Sequence, residues 1–195
     1  MNPRKVALVT GAGKRRVGAH VADALVNRGY SLVIHYRSSA TEANEAVARY
    51  RDRGVEAVAL QADLSDEKAV QTLVAQALAQ FGRLDVLVNC AAAWNSKRLE
   101  DATGADVRQY FETNTLGTFL CSQHAGLTMV KQKEGGSIIT IGDWATVPTI
   151  LELRRVLPIE GSNSDNDARF GRGAGHAKSS GASQLHHARP RSAAP

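Results

Sequence analysis

The stretch that decides the fold is KVALVTGAGKRRVG, residues 5–18. Its opening stretch, Lys5–Val9 (KVALV), is a short apolar run, the pattern of a strand covered on both faces. Thr10 and Gly11 end that run. From Val17 to Arg28 the positions Val17, Val21 and Leu25 share one helical face, and Arg28-Gly29 supplies the stop. Between strand and helix lies a turn holding Gly11, Gly13 and Gly18 around three consecutive cations, Lys14, Arg15 and Arg16. Glycines let a backbone approach a phosphate, and the helix N-terminus behind them offers unpaired N–H groups with a partial positive charge.

Working outward, strand and helix signals alternate with short connections. Ser31–Tyr36 (SLVIHY) reads as a second strand and Thr41–Arg53 as a polar, Ala-rich helix ended by Gly54. Glu56–Leu60 is a third strand. Ser65 then opens an amphipathic helix whose apolar positions are Val70, Leu73, Val74, Ala77 and Leu78. Asp85–Asn89 (DVLVN) is a fourth strand, Ala105–Val130 one long helix, and Ser137–Ile141 (SIITI) a fifth strand. Such alternation implies right-handed crossovers and a parallel sheet with helices on both faces, a doubly wound α/β domain over residues 1–147.

Residues 148–195 differ in character. Five glycines and many Ser, Asn, Arg and His fall within 161–195, without apolar periodicity, so this part is expected to lack fixed structure and to leave the fifth strand as an open edge. The chain's net charge of +5 also comes largely from here, with seven Lys/Arg against four acids after Val147. The body is nearly balanced, and nucleic acid is not expected as a partner. Two cysteines, Cys90 and Cys121, exclude a disulfide framework and a Cys-rich zinc site, and both read as core residues. No apolar run is long enough to span a membrane, and Met1–Lys5 lacks the core of a signal peptide, so a cytoplasmic protein is expected. His176 and His186-His187 lack ligand partners at metal-site spacing, and His124 reads as a helix-surface residue.

In order, the motifs of residues 1–147 resemble the short-chain dehydrogenase/reductase family. Beyond the glycine turn these are Asp63-Leu64 after the third strand, Asn89-Cys90-Ala91-Ala92 after the fourth, Asn114-Thr115-Leu116-Gly117 in the long helix, and Gly135–Ile141. The resemblance implies a Rossmann-type fold and a nicotinamide dinucleotide. It places Gly11, Lys14, Arg15, Arg16, Val17 and Gly18 at the phosphates, and His35, Tyr36, Arg37 and Ser38 at the adenosine ribose. Asp63 and Leu64 then fall at the adenine, with Asn89 and Ala91 along the remainder of the cofactor. No acid follows the second strand to accept from a ribose 2′-hydroxyl, whereas Arg37, Ser38 and the turn's cations suit a 2′-phosphate, so NADP is expected over NAD.

Departures from the family pattern carry the finer reading. Lys14-Arg15 in the turn, and Asp143 where most members have Ser, resemble pteridine reductases. By that resemblance Asn114 supports a proton relay and Asp143 orients substrate or relays protons. The Tyr-x-x-x-Lys pair that completes the chemistry should begin near Val156, yet no Tyr follows Tyr110, and the later lysines are Lys131, Lys133 and Lys178. Codons chosen for Pro148–Gly161 and shifted by one base can read Arg-Pro-Tyr-Leu-Asn-Tyr-Ala-Ala-Tyr-Phe-Pro-Ser-Lys, which restores the pair. The same shift through His176 permits a run like the family's next helix. A one-base insertion after the Val147 codon is therefore expected. The implied activity is NADPH-dependent reduction of a C=N or C=O bond in a small-molecule substrate, lost in this chain without the pair. A non-catalytic dinucleotide-binding remnant and a 3-oxoacyl-carrier-protein reductase, which usually has Ser at position 143, stay open. Intact family members are homo-oligomers, an expectation not carried over to this chain. Trp94 and Trp144 flank the expected site, as pocket walls or as ordinary packing.

Overall fold

Val6–Val9 alternates its side chains between two apolar layers, and that alternation organises the molecule. The computed structural model describes residues 4–142 and the backbone of 182–188. Strand β1 (Val6–Val9) sends Val6 and Leu8 to one layer and Ala7 and Val9 to the other; all four are buried. Helices α1 (Val17–Val26) and α2 (Ala40–Asp52) cover the Ala7 face through Ala22, Val26, Ala43, Ala46, Val47 and Tyr50. Helices α3 (Glu67–Phe81) and α5 (Gly117–Met129) cover the other through Val70, Leu73, Val74, Ala77, Leu120, Cys121, Ala125 and Met129. A fully buried aliphatic side chain contributes roughly 1.5–3 kcal/mol relative to exposure, so these two layers dominate the stability of the domain.

The sheet runs in the order β3 (Ala57–Gln61), β2 (Ser31–Tyr36), β1, β4 (Val86–Asn89), β5 (Gly136–Ile141) and β6 (Ala182–Ala188). Strands β2, β3, β4 and β5 join β1 in parallel pairing, with Leu8 opposite Val33 on one side and Leu87 on the other. The five expected parallel strands are therefore present, each within a residue of its expected limits. The order reverses between β1 and β4, and in open α/β sheets the crevice outside the carboxyl ends of the strands at such a reversal is where ligands bind.

Three local expectations are corrected. The helix expected to open at Ser65 is capped instead by Asp66, whose carboxylate accepts from Lys68 N–H at 2.8 Å, because Ser65 is already engaged by Asp63. The single helix over 105–130 is two helices, α4 (Gly104–Tyr110) and α5, joined by a π-helical turn at Phe111–Leu116. A π turn accommodates an extra residue and re-aims the side chains within it. Here it carries Asn114, whose amide takes both the N–H and the C=O of Ala93, at 2.7 and 2.9 Å.

The third correction concerns the tail. Ala182–Ala188 forms β6, antiparallel to β5, so β5 is not the open edge expected of it. Edge pairing needs only backbone donors and acceptors, and ASQLHHA is a run with neither Gly nor Pro, between Gly181 and Pro190. An amphipathic face, whose absence motivated the expectation, is not required for this pairing.

Candidate functional site

At the carboxyl end of β1 the chain is tied down in three directions. Thr10 N–H donates to the Val88 carbonyl at 3.0 Å, while its hydroxyl accepts the N–H groups of Cys90 and Ala91, both at 3.0 Å. Gly11 N–H donates to Nδ1 of His35 at 3.1 Å, and Ala12 N–H to the His35 carbonyl, also at 3.1 Å. The turn that follows β1 is thus laced to the ends of both neighbouring strands. Thr10 was not among the site residues expected from sequence; a threonine ending an apolar strand looks like any other β-branched strand residue until its acceptors are seen.

Gly11 has φ +66°, and a Cβ there would lie 2.7 Å from Cα of Ala91. The turn therefore touches the segment after β4 backbone to backbone, which only glycine permits. A Cβ on Gly18, in the first turn of α1, would meet the Gly11 carbonyl oxygen at 3.0 Å, and one on Gly13 would overlap the Ser39 hydroxyl. Ser39 lies one residue past the expected Ser38.

No side chain caps the N-terminus of α1, where Arg16 is the flanking residue. Its first N–H groups, at Val17 and Gly18, have no carbonyl a turn earlier in the helix to receive them. Around this end Lys14, Arg15, Arg16 and Val17 are exposed, as are Arg37 and Ser38 at the end of β2, while Tyr36 is half-buried. Among the described residues none of these four cations is in an ion pair. An uncapped helix end beneath unpaired cations is suited to an anion such as a phosphate.

The loop after β3 adds Asp63. Ser65 donates to Asp63 Oδ1 through its hydroxyl at 2.7 Å and its N–H at 3.0 Å, and these bonds hold the carboxyl below the usual carboxylate range. Both land on one oxygen, so Oδ2 has no hydrogen-bond partner among the described residues and can accept from a ligand. Leu64 turns its side chain into the core instead, where Gly117 of α5 approaches so closely that a Cβ would lie 2.9 Å from Leu64 Cβ. At the end of β4, Asn89 is 3% exposed and donates to Ser122 Oγ at 3.0 Å. Its Oδ1 has no partner among the described residues. Ala91 is half-buried against the turn.

Two other expectations take a different form. His35, expected at the ribose, is 2% exposed, and both its ring nitrogens face backbone groups of this chain. His124 is not a surface residue; it lies half-buried 3.7 Å from Glu67 of α3. Asp143 and Trp144 lie outside the described residues, whereas Trp94 is half exposed. Cys121 is buried in the core and Cys90 only partly buried against its other layer, and burial raises their thiols to about 12 and about 11, respectively. No cluster of potential metal ligands occurs among the described residues, and no helix among them is long and apolar enough to cross a membrane.

Comparison with known proteins bears on this arrangement. The family model for short chain dehydrogenases matches residues 5–150. An uncharacterized oxidoreductase of Methylorubrum extorquens is 41% identical over 142 residues, 73% of this chain and 56% of its own. Versicolorin reductase 1 of Aspergillus parasiticus is 38% identical over 135 residues, 69% of this chain and 50% of its own. A short chain dehydrogenase of Burkholderia cenocepacia, solved in complex with NADP, superposes with a TM-score of 0.68 at 36% identity, covering 74% of this chain and 58% of that one. The chain spans about half the length of the curated relatives it matches.

Proposed function

Since this chain belongs to the short-chain dehydrogenase family, we propose that residues 4–142 are the NADP(H)-binding part of a reductase acting on a C=N or C=O bond of a small molecule, as in pteridine reductases. The observation that carries this reading is the uncapped N-terminus of α1 beneath the cations Lys14, Arg15, Arg16 and Arg37, none of them in an ion pair among the described residues, with no acid at the end of β2. The residues present fit the group. Val17 and Gly18 offer amides to a pyrophosphate, Arg37 and Ser38 suit a 2′-phosphate, and Asp63 Oδ2 can accept from an adenine amine. Asn89 and Ala91, at the end of β4, are assigned to the remainder of the cofactor. When bound, NADPH would supply the hydride; the protein's own task is to hold it and to deliver a proton.

Proton delivery is assigned to Asn114 and Asp143, together with a Tyr-x-x-x-Lys pair that a one-base insertion after the Val147 codon removes from this chain. Without that pair turnover falls by roughly a hundred- to ten-thousandfold. Titration of the 195-residue chain with NADPH and NADH tests the binding half, and NADPH should bind at least about tenfold tighter. Sequencing the DNA around the Val147 codon, and assaying NADPH oxidation by the chain with its frame restored, tests the catalytic half. A second reading, dinucleotide binding without catalysis, is favoured by the absence of any Tyr after Tyr110. Binding without oxidation by the frame-restored chain would select it.

A further inference from the structure

The nucleotide turn is tied to the rest of the site through one buried ring. His35 Nδ1 lies 3.1 Å from Gly11 N, and Nε2 lies 3.1 Å from the Ala62 carbonyl oxygen. A backbone N–H can only donate and a carbonyl can only accept, so the partners dictate the ring's state. Nδ1 carries no proton and Nε2 carries one, which is the neutral Nε2–H tautomer. The backbone of the same strand adds two more links, Ala12 N–H to the His35 carbonyl and Ala62 N–H to the Tyr36 carbonyl, each 3.1 Å. Only the side-chain links depend on the protonation of a ring.

We propose that His35 is a positioning residue of the nucleotide site, its neutral imidazole fixing the Gly11 backbone of the phosphate turn to the Ala62 backbone that precedes Asp63. It touches no ligand itself and acts through the two loops that do. The inference rests on the dinucleotide-binding reading above. An imidazolium would turn an Nδ1–H against the Gly11 N–H, two donors face to face at 3.1 Å. The turn would have to move away, taking the N-terminus of α1 with it.

Burial opposes this protonation, holding the ring's pKa below its ordinary value; the Ala62 hydrogen bond and the nearby Asp63 carboxylate act in the opposite direction. Arg37, at the end of the same strand, lies close enough to Asp63 to offset part of its charge. The turn after β1 contributes Lys14, Arg15 and Arg16 and no acid. Helix α3 opens with the exposed Asp66, Glu67 and Lys68, and α5 contributes the half-buried His124. Because the folded pKa lies below the unfolded value, the unfolded chain takes up the proton first. Stability is therefore full above about pH 6.5 and declines as pH falls below it, whereas the turn of the folded chain stays ordered until the pH falls through the lowered folded pKa of the ring.

The test uses the full chain and two variants, His35→Asn and His35→Phe. Asparagine places an oxygen near the Nδ1 position and does not titrate; phenylalanine fills the space and leaves the Gly11 N–H without an acceptor. Nitrogen-detected NMR at pH 8 should show the Nε2–H tautomer. Gly11 amide protection, measured against the intrinsic base-catalysed rate at each pH, should be high at pH 8, fall in step with His35 protonation, stay high in His35→Asn at every pH, and be low in His35→Phe at every pH. NADPH binding should weaken roughly ten- to hundredfold in His35→Phe at pH 8, and stay within about threefold of wild type in His35→Asn. A charged ring at pH 8, or Gly11 protection indifferent to both pH and His35→Phe, overturns the proposal. If wild type binds no NADPH at pH 8 while Gly11 protection still follows His35, the dinucleotide reading fails and the assigned role with it, though the His35–Gly11 link stands.

Discussion

Gly11→Ala probes the junction on which the site is built. Two costs can be read from the structure. The first is conformational: Gly11 has φ +66°, and a residue with a Cβ is strained there by roughly 1–2 kcal/mol. The second is steric: the new methyl would lie 2.7 Å from Ala91 Cα, 3.0 Å from Ala91 N and 3.2 Å from Ala91 Cβ. Neither side yields freely, because Ala91 N–H is bonded to the Thr10 hydroxyl and Gly11 N–H to His35. Forced overpacking of this kind costs roughly 1–3 kcal/mol. Gly82→Ala isolates the second cost. Gly82 has φ +72° with nothing within 4 Å of a built Cβ, so it carries the dihedral strain and the lower unfolded-state entropy without the clash. The melting temperature of Gly11→Ala should therefore lie about 2–12 °C below that of Gly82→Ala, at 2–4 °C per kcal/mol for a chain of this size. NADPH affinity should fall on the order of a hundredfold in Gly11→Ala and stay unchanged in Gly82→Ala, since a displaced turn misplaces every phosphate contact. Melting by circular dichroism and titration by fluorescence give both numbers. Equal melting temperatures within 2 °C, with equal affinities, would refute the backbone contact as the organising feature.

Further outcomes follow from neighbouring groups. Thr10→Val keeps the strand but strips an acceptor from the N–H groups of Cys90 and Ala91; unfolding in urea should show a loss of about 1–3 kcal/mol, and a neutral result would mean the hydroxyl is dispensable. Burial lifts Cys90 to about 11 and Cys121 to about 12, so at pH 8 only about one Cys90 thiol in a thousand, and fewer at Cys121, is a thiolate. A disulfide reagent should leave both untouched in the folded chain and modify both in urea; rapid labelling of the folded protein contradicts this. Arg37→Glu should weaken NADPH roughly tenfold or more while sparing NADH, and equal losses for the two would remove Arg37 from the 2′-phosphate.

Strand positions were legible in the sequence because doubly covered parallel strands carry unbroken apolar runs, as Leu32-Val33-Ile34 in SLVIHY and Val86-Leu87-Val88 in DVLVN do, and because Gly29, Gly54 and Gly82 punctuate the helices between them. The glycine turn and its cations were legible for a similar reason: a missing side chain and a run of like charges are properties of single residues in a short window. Hydrogen-bond partners far apart in the chain were not. His35 reads as one more member of a strand, and Thr10 as another, until β1 is set between β2 and β4 and their acceptors find N–H groups 24 and about 80 residues away. Leu64 was assigned to the ligand by motif, yet the approach of Gly117 packs its side chain into the core. Asn114 sits within an uninterrupted helical pattern, and only its two bonds to Ala93 show where that helix changes pitch. Local periodicity reports what each segment buries. Which donor meets which acceptor is decided by strand order and register, and these exist only once the chain has folded.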